Sequence, residues 1–156
     1  MQQDSREVWN NGIYALNELI NEKFEILGED FESAGKASTR IKSTLKKIGI
    51  DPALIRRIGI VCYESEMNVV MYAVKGVMQL EITPKKIVIK VDDEGQGIEN
   101  IPLAMQEGYS TATDKMRELG FGAGMGLPNI KKNADDFHIE STPGKGTSLR
   151  VEININ

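Results

Sequence analysis

Apolar positions recur along the chain with two different periods, and each change of period marks a boundary between elements. From residue 5 to 22, Val8, Ile13, Leu16, Leu19 and Ile20 stand among polar residues at roughly helical spacing, so a helix is predicted although Gly12 weakens it. Lys23 to Leu27 alternates charged and apolar side chains like a short strand, and Ser33 to Ile48 returns to helical spacing until Gly49 ends it.

Asp51-Pro52 offers an N-cap followed by proline at the first helical position. Helix formers and apolar residues then run to about Lys75, where Gly76 supplies a stop, which predicts one long central helix. Val77 to Thr83 and Lys86 to Val91 are strand-like runs separated by Pro84-Lys85. Phe137 to Thr142 and Thr147 to Ile155 repeat that arrangement around Pro143-Gly144-Lys145-Gly146, so two hairpins are expected. Between them, Gly95 to Gly126 holds seven of the fifteen glycines, with a short helical stretch near Pro102 to Gln106, and Leu127 to Ala134 reads as a helix. Helices laid on one face of a mixed, largely antiparallel sheet would bury these apolar faces, giving an α/β two-layer sandwich. Residues 1–22 form a helical extension in this reading, and residues 23–156 a single domain.

Composition narrows the function classes. The 156 residues are 40% hydrophobic and 27% charged, as in an ordinary compact domain. A net charge of -4 argues against a nucleic-acid partner, which calls for a basic surplus on one face. No apolar run is long enough to span a bilayer and no signal peptide opens the chain, so a cytoplasmic protein without a membrane partner is expected. Cys62 is the single cysteine; it lies in an apolar run and reads as a buried, inert thiol. His138 is also single, which removes His/Cys metal ligation, and its strand setting gives it a structural reading.

The candidate chemistry lies in three places. Glu64 and Asn68 are four residues apart on the long helix and project from one face. Such a pair taken alone is ordinarily solvated surface, but Asn is a poor helix residue, and Met67, Val69, Val70 and Met71 around it are apolar, which raises an inward polar site as the other reading. Asp93 follows a strand, and the chain then turns on Gly95 and Gly97. That is either a plain glycine-rich turn or a carboxylate placed to accept a purine amine, with bare backbone against the ring. Gly120 to Pro128 leads through Gly122, Gly124 and Gly126 into a helix N-terminus, where amides and the helix dipole favour phosphate. The spacing is neither that of a dinucleotide-binding βαβ unit nor that of a P-loop, and Gly144-Lys145-Gly146-Thr147 is better read as a hairpin turn. The His-Arg-Asp loop of eukaryotic-type kinases is absent.

Glu64-x-x-x-Asn68, Asp93-x-Gly95-x-Gly97, Gly122-x-Gly124-x-Gly126 and Gly146-Thr147, in that order, resemble the N, G1, G2 and G3 boxes of the GHKL ATPases. Gly95 to Ile98, Glu107 to Thr111 and Gly124 to Pro128 are similar to segments of the small anti-sigma-factor and switch serine/threonine kinases of bacterial partner-switching systems. The resemblance implies a histidine-kinase-like ATPase (Bergerat-type) fold that binds ATP and Mg2+ under a mobile lid, here Glu107 to Gly122. It implies that Glu64 is the general base, that Asn68 ligates magnesium, and that Asp93 reads adenine with support from Thr147. The amides of Gly122, Gly124 and Gly126 would cradle phosphate, with Lys131 and Lys132 adding charge. Ile98, Met125 and Leu127 complete the implied cofactor-binding set. Tyr72 stands where several relatives carry His, the lid from Ala112 to Leu119 is longer than in the nearest switch kinases, and Glu66 points off the Glu64 face as bystander charge.

The expected function is a protein serine/threonine kinase that phosphorylates a STAS-like antagonist and holds a sigma factor or another regulator, with a homodimer allowed. The alternatives are an ATP-gated regulatory binding module and a stand-alone histidine-kinase catalytic domain.

Overall fold

A computed structural model describes residues 20–120 and 124–155. The chain opens with strand β1 (Ile20–Leu27), helix α1 (Lys36–Lys47) and helix α2 (Pro52–Tyr72). Strands β2 (Ala73–Ile82) and β3 (Lys86–Gly95) follow, then α3 (Ile101–Ala104), α4 (Asp114–Glu118) and α5 (Gly126–Asn133). Strands β4 (Asp136–Thr142) and β5 (Gly146–Asn154) close it. Ile20 to Glu22, expected to end a helix, instead open β1; the rest of the proposed N-terminal helix lies outside the described residues.

The five strands form one sheet in the order β1-β2-β3-β5-β4, and every pairing among them is antiparallel. Both expected hairpins are present. Thr83 closes the first, its Oγ1 accepting the N–H of Lys86 at 3.0 Å. Period-two alternation puts Met78, Leu80, Ile82, Ile87, Ile89, Val91, Val151 and Ile153 on one face, all buried. Ile41, Leu45, Ile58, Val61, Val69, Val70 and Ile130 come down on that face from the helices. The opposite face carries Glu81, Lys90 and Glu152, with Lys90–Glu81 and Lys86–Glu152 ion pairs at 3.1 Å. The fold is therefore the two-layer α/β sandwich expected from the hydrophobic pattern. No helix among the described residues is long and apolar enough to cross a membrane.

Two expectations are corrected. The central helix starts as predicted, with Asp51 Oδ1 accepting the Ala53 N–H at 2.8 Å, but it ends at Tyr72 rather than Lys75. Gly76 is no helix stop: it sits inside β2 between Ile26 and Asp93, where an added Cβ would press on Val69 Cγ1 at 3.0 Å and Asp92 O at 3.1 Å. Strand pairing on both sides outweighs the helical preference of residues 73–75, and the glycine lets α2 lie close on the sheet.

Glu66 is not bystander charge. It is 2% exposed, and its carboxylate accepts the N–H groups of Gly35 (2.9 Å), Ala37 (3.3 Å) and Ser38 (3.0 Å) and the Ser38 hydroxyl (3.1 Å). Helix α1 has no side-chain cap of its own, since its N-cap residue is Gly35, left-handed at φ 95° and without a side chain to accept. The buried acid of α2 supplies that cap from across the helix layer, satisfying otherwise orphaned donors and meeting the positive end of the helix dipole.

Candidate functional site

A cavity of about 790 Å3 opens between α2, the sheet and the segments leading to α5. Glu64 and Asn68 line it from α2, Asp93 from β3, and Gly97 and Ile98 from the loop after β3. Gly124, Met125, Gly126 and Leu127 line it from the start of α5, and Thr147 from β5. Four sequence segments far apart in the chain thus converge on one space.

The α2 pair faces the N-terminus of α5. A Cβ built on Gly126 would lie 3.3 Å from Glu64 Oε2 and 3.4 Å from Asn68 Oδ1, so a carboxylate and an amide oxygen flank the first residue of that helix. Burial pushes the Glu64 carboxyl above its ordinary range, and a hydrogen bond from the Asn129 side chain pulls it partly back. Ser65, beside Glu64, also lines the cavity, and its buried hydroxyl has no hydrogen-bond partner within the protein.

Asp93 is held by the other half of the sheet. Its Oδ1 accepts the Thr147 N–H at 3.1 Å. Gly146 makes that approach feasible, because any Cβ there would overlap the Asp93 carbonyl. Burial raises the Asp93 carboxyl, the Thr147 amide lowers it, and neighbouring Asp92 raises it. Ser141 ties the surrounding loops together: its Oγ accepts the Ile98 N–H at 2.8 Å and lies 2.8 Å from Thr147 Oγ1. No motif singles out Ser141, although its register opposite Thr147 across the second hairpin would have placed it beside the site.

The glycines divide by role. Gly97, at φ 71°, packs against the Thr142 carbonyl of the β4–β5 turn and leaves bare backbone at the cavity wall. Gly124, at φ 77°, fits against Gly108 and Tyr109, and the Gly108 N–H donates to its carbonyl at 2.9 Å. Gly95 is not among the cavity-lining residues. It ends β3 against Ala73 and the Tyr72 carbonyl, so its lack of a side chain serves helix-to-strand packing. Gly122 lies outside the described residues.

Lys131 and Lys132, expected to add charge near phosphate, fall in the last turn of α5 and do not line the cavity; Lys132 pairs with Glu107 at 3.0 Å. Tyr72, Leu103 and Tyr109, which no box includes, also line the cavity. Within the segment expected to be a lid, Thr113 caps α4 by accepting the Met116 N–H at 3.2 Å. Cys62 is fully buried, and its thiol is pushed up chiefly by desolvation and then by Glu66, in keeping with an inert core thiol. His138 is exposed on β4 opposite Arg150, outside the cavity lining.

The profile of the histidine kinase-, DNA gyrase B- and HSP90-like ATPase family matches residues 53–156. Serine/threonine-protein kinase RsbT of Bacillus subtilis (strain 168) is 30% identical over 114 residues, 70% of this chain and 80% of that protein. An anti-sigma F factor of Thermoanaerobacter sp. (strain X514) is 44% identical over 70 residues. Those residues are 45% of this chain and 46% of the relative, so the chain spans about half the length of the anti-sigma F factor it matches. A chain in the crystal structure of the SiaB-SiaC complex from Pseudomonas aeruginosa shares the fold, with a TM-score of 0.57, 14% identity, and coverage of 92% of this chain and 95% of that one. The protein belongs to the histidine kinase-, DNA gyrase B- and HSP90-like ATPase family, within its anti-sigma-factor and switch-kinase branch.

Proposed function

We propose that this chain binds ATP with magnesium in the cavity and transfers the terminal phosphoryl group to a serine or threonine of a STAS-like antagonist, while also holding a regulator such as a sigma factor. The observation that carries the reading is the placement of Glu64 and Asn68 against the first residue of α5, beside the amides of Gly124 to Leu127. Phosphoryl transfer demands mostly positioning and charge neutralisation, and that arrangement offers both. Relatives described as a serine/threonine-protein kinase and as anti-sigma F factors support the choice of reaction and partner class.

The residues fit the ligand. Asp93 spends one oxygen on Thr147, which leaves the second to accept the adenine amine. The start of α5 presents unpaired N–H groups to phosphate. Among the described residues no group of three or more His, Cys, Asp and Glu could hold a metal. Asn68 would hold magnesium through its amide oxygen, beside phosphate oxygens and water, and the ion would neutralise phosphate charge. Glu64 would accept the proton of the attacking hydroxyl, and burial, which lifts its carboxyl above the ordinary range, makes it a stronger base.

Labelled ATP, magnesium and a candidate STAS-domain protein form the test. Acid-stable label on the partner, lost with Glu64→Gln, supports the kinase reading. Acid-labile label would indicate histidine transfer, and nucleotide-dependent partner binding with no label would leave a gated binding module.

A further inference from the structure

The turn that follows β3 is clasped to the β4–β5 hairpin by three bonds. The Gly95 N–H donates to the Lys145 carbonyl at 3.2 Å, the Gly144 N–H to the Gln96 carbonyl at 2.8 Å, and the Ile98 N–H to Ser141 Oγ at 2.8 Å. The first two are made by main chain alone. The third ends on a side chain, and Ser141 Oγ makes two further contacts, with the Gly146 carbonyl at 3.1 Å and with Thr147 Oγ1 at 2.8 Å.

Register puts these groups beside the cavity. Ser141 stands directly opposite Thr147 across the hairpin, and Ile139 stands opposite Leu149. Side chains at that spacing share a face of the sheet, and the burial of Leu149, Val151 and Ile153 shows it to be the face covered by the helices. Thr147, Ile139 and Leu149 line the cavity, whereas Ser141 does not. An effect of Ser141 on a ligand therefore passes through Thr147.

The contacts fix where the protons go. A serine hydroxyl has one proton and two lone pairs. The Ile98 N–H can only donate, so it takes one lone pair, and the Gly146 carbonyl can only accept, so it takes the proton. What faces Thr147 is the remaining lone pair, and Thr147 Oγ1 gives its own proton to it. The reverse assignment, with Ser141 donating to Thr147, forfeits the bond to Gly146. A half-buried hydroxyl settles in the arrangement that serves every partner.

We infer that Ser141 is a positioning residue for nucleobase selectivity: by taking the proton of Thr147 it leaves that hydroxyl as an acceptor only on the cavity side. The inference rests on the proposed ATP site and adds the device that orients one of its groups. The Asp93 carboxylate, held through Oδ1 by the Thr147 N–H, is an acceptor as well. Two neighbouring acceptors match the two protons of an exocyclic amine, taken directly or through a water. A 6-oxo purine presents an acceptor instead, and to bind it Thr147 must turn its proton inward and abandon Ser141. Preference for adenine is thus set partly by proton order in the hairpin, one bond away from the ligand.

Calorimetry with magnesium ATP and with magnesium inosine triphosphate, which carries an oxygen in place of the amine, tests this on the parent, Ser141→Ala, Ser141→Thr, Thr147→Val and the Ser141→Ala/Thr147→Val pair. For Ser141→Ala the ratio of ATP affinity to inosine triphosphate affinity should fall by about three- to tenfold, the worth of one hydrogen bond whose direction is no longer fixed. Ser141→Thr keeps the hydroxyl and should hold the parental ratio within about twofold. In the Thr147→Val background, adding Ser141→Ala should leave the ratio where it stands, because the path is already cut. A merely structural Ser141 would lower both affinities together.

An unmoved ratio in Ser141→Ala, or an equal fall with and without the Thr147 hydroxyl, overturns the inference. If Ser141→Ala does not fold, Ser141→Cys takes its place: its sulfur is a weak acceptor, so the ratio should fall in the same direction but less, and no change there is equally fatal. A parent that binds ATP and inosine triphosphate alike overturns the selectivity role and leaves the nucleotide site standing. A parent that binds neither overturns the ATP reading itself, and the role of Ser141 with it.

Discussion

Asp93 Oδ1 accepts the backbone N–H of Thr147 at 3.1 Å, joining the end of β3 to the start of β5 at the wall of the cavity. A side-chain acid is thereby fixed by main chain, which holds it in place whether or not a ligand is present. Asp93→Asn keeps an oxygen for the Thr147 amide while exchanging an acceptor for a donor on the ligand side. Competition binding should show the preference for ATP over GTP falling by at least about tenfold, since a polar site facing the wrong donor pattern discriminates strongly. An unchanged preference would remove Asp93 from the base-reading role.

Glu64→Gln should stabilise the nucleotide-free protein at neutral pH. The folded carboxyl is raised above its ordinary value of 4.5, so the folded state disfavours the charged form. That penalty is fully present above the folded value and vanishes as pH falls below 4.5. Allowing for solvent screening of a half-exposed group, the gain in Tm at pH 7 should be about 1 to 2 °C and should disappear near pH 4. Thermal melts at the two pH values decide it, and a Gln variant that melts lower at pH 7 contradicts the assignment of strain to this carboxyl.

Asn68→Ala should weaken nucleotide binding only when magnesium is present. Loss of one amide oxygen from a cation's shell is expected to cost about tenfold in affinity, or about 1.4 kcal/mol. Calorimetry with magnesium and then with a chelator separates the two cases. Equal losses in both would assign Asn68 to direct nucleotide contact.

Glu66→Ala should be among the most destabilising single changes on α2. It would leave the N–H groups of Gly35, Ala37 and Ser38 without their acceptor at a buried helix start. A loss of about 2 to 4 kcal/mol in chemical denaturation is expected, with Glu66→Gln milder because one amide oxygen can still accept. A cost below about 0.5 kcal/mol for the Ala variant would show that α1 holds its start by other means.

Much of the architecture was legible along the chain because burial writes itself as period. Alternation in Thr147 to Ile155 assigns one face of that strand to the core, and Leu149, Val151 and Ile153 on that face are buried. Type and spacing mark Glu64, Asn68 and Asp93 as candidate site residues and the family resemblance adds Thr147, and all four line one cavity. The end of α2 was not legible, since Ala73 to Lys75 suit a helix and only pairing with β1 and β3 draws them into the sheet. Helix α4 rests on a local cap at Thr113, a signal too short to stand out among the glycines.

What the sequence determined by itself is the set of layers and the chemical identities at the site, because hydrophobic period and residue type are properties of the chain alone. Tertiary structure decided which polar groups meet. Glu64 and Glu66 are two residues apart and therefore face different neighbours: one meets the start of α5, the other caps α1. Gly95 and Gly97 belong to one short motif, yet one fits a helix end and the other a cavity wall. Such assignments depend on the distance between segments remote in sequence, and burial makes each meeting count, since a carboxylate removed from water must find donors where the fold supplies them.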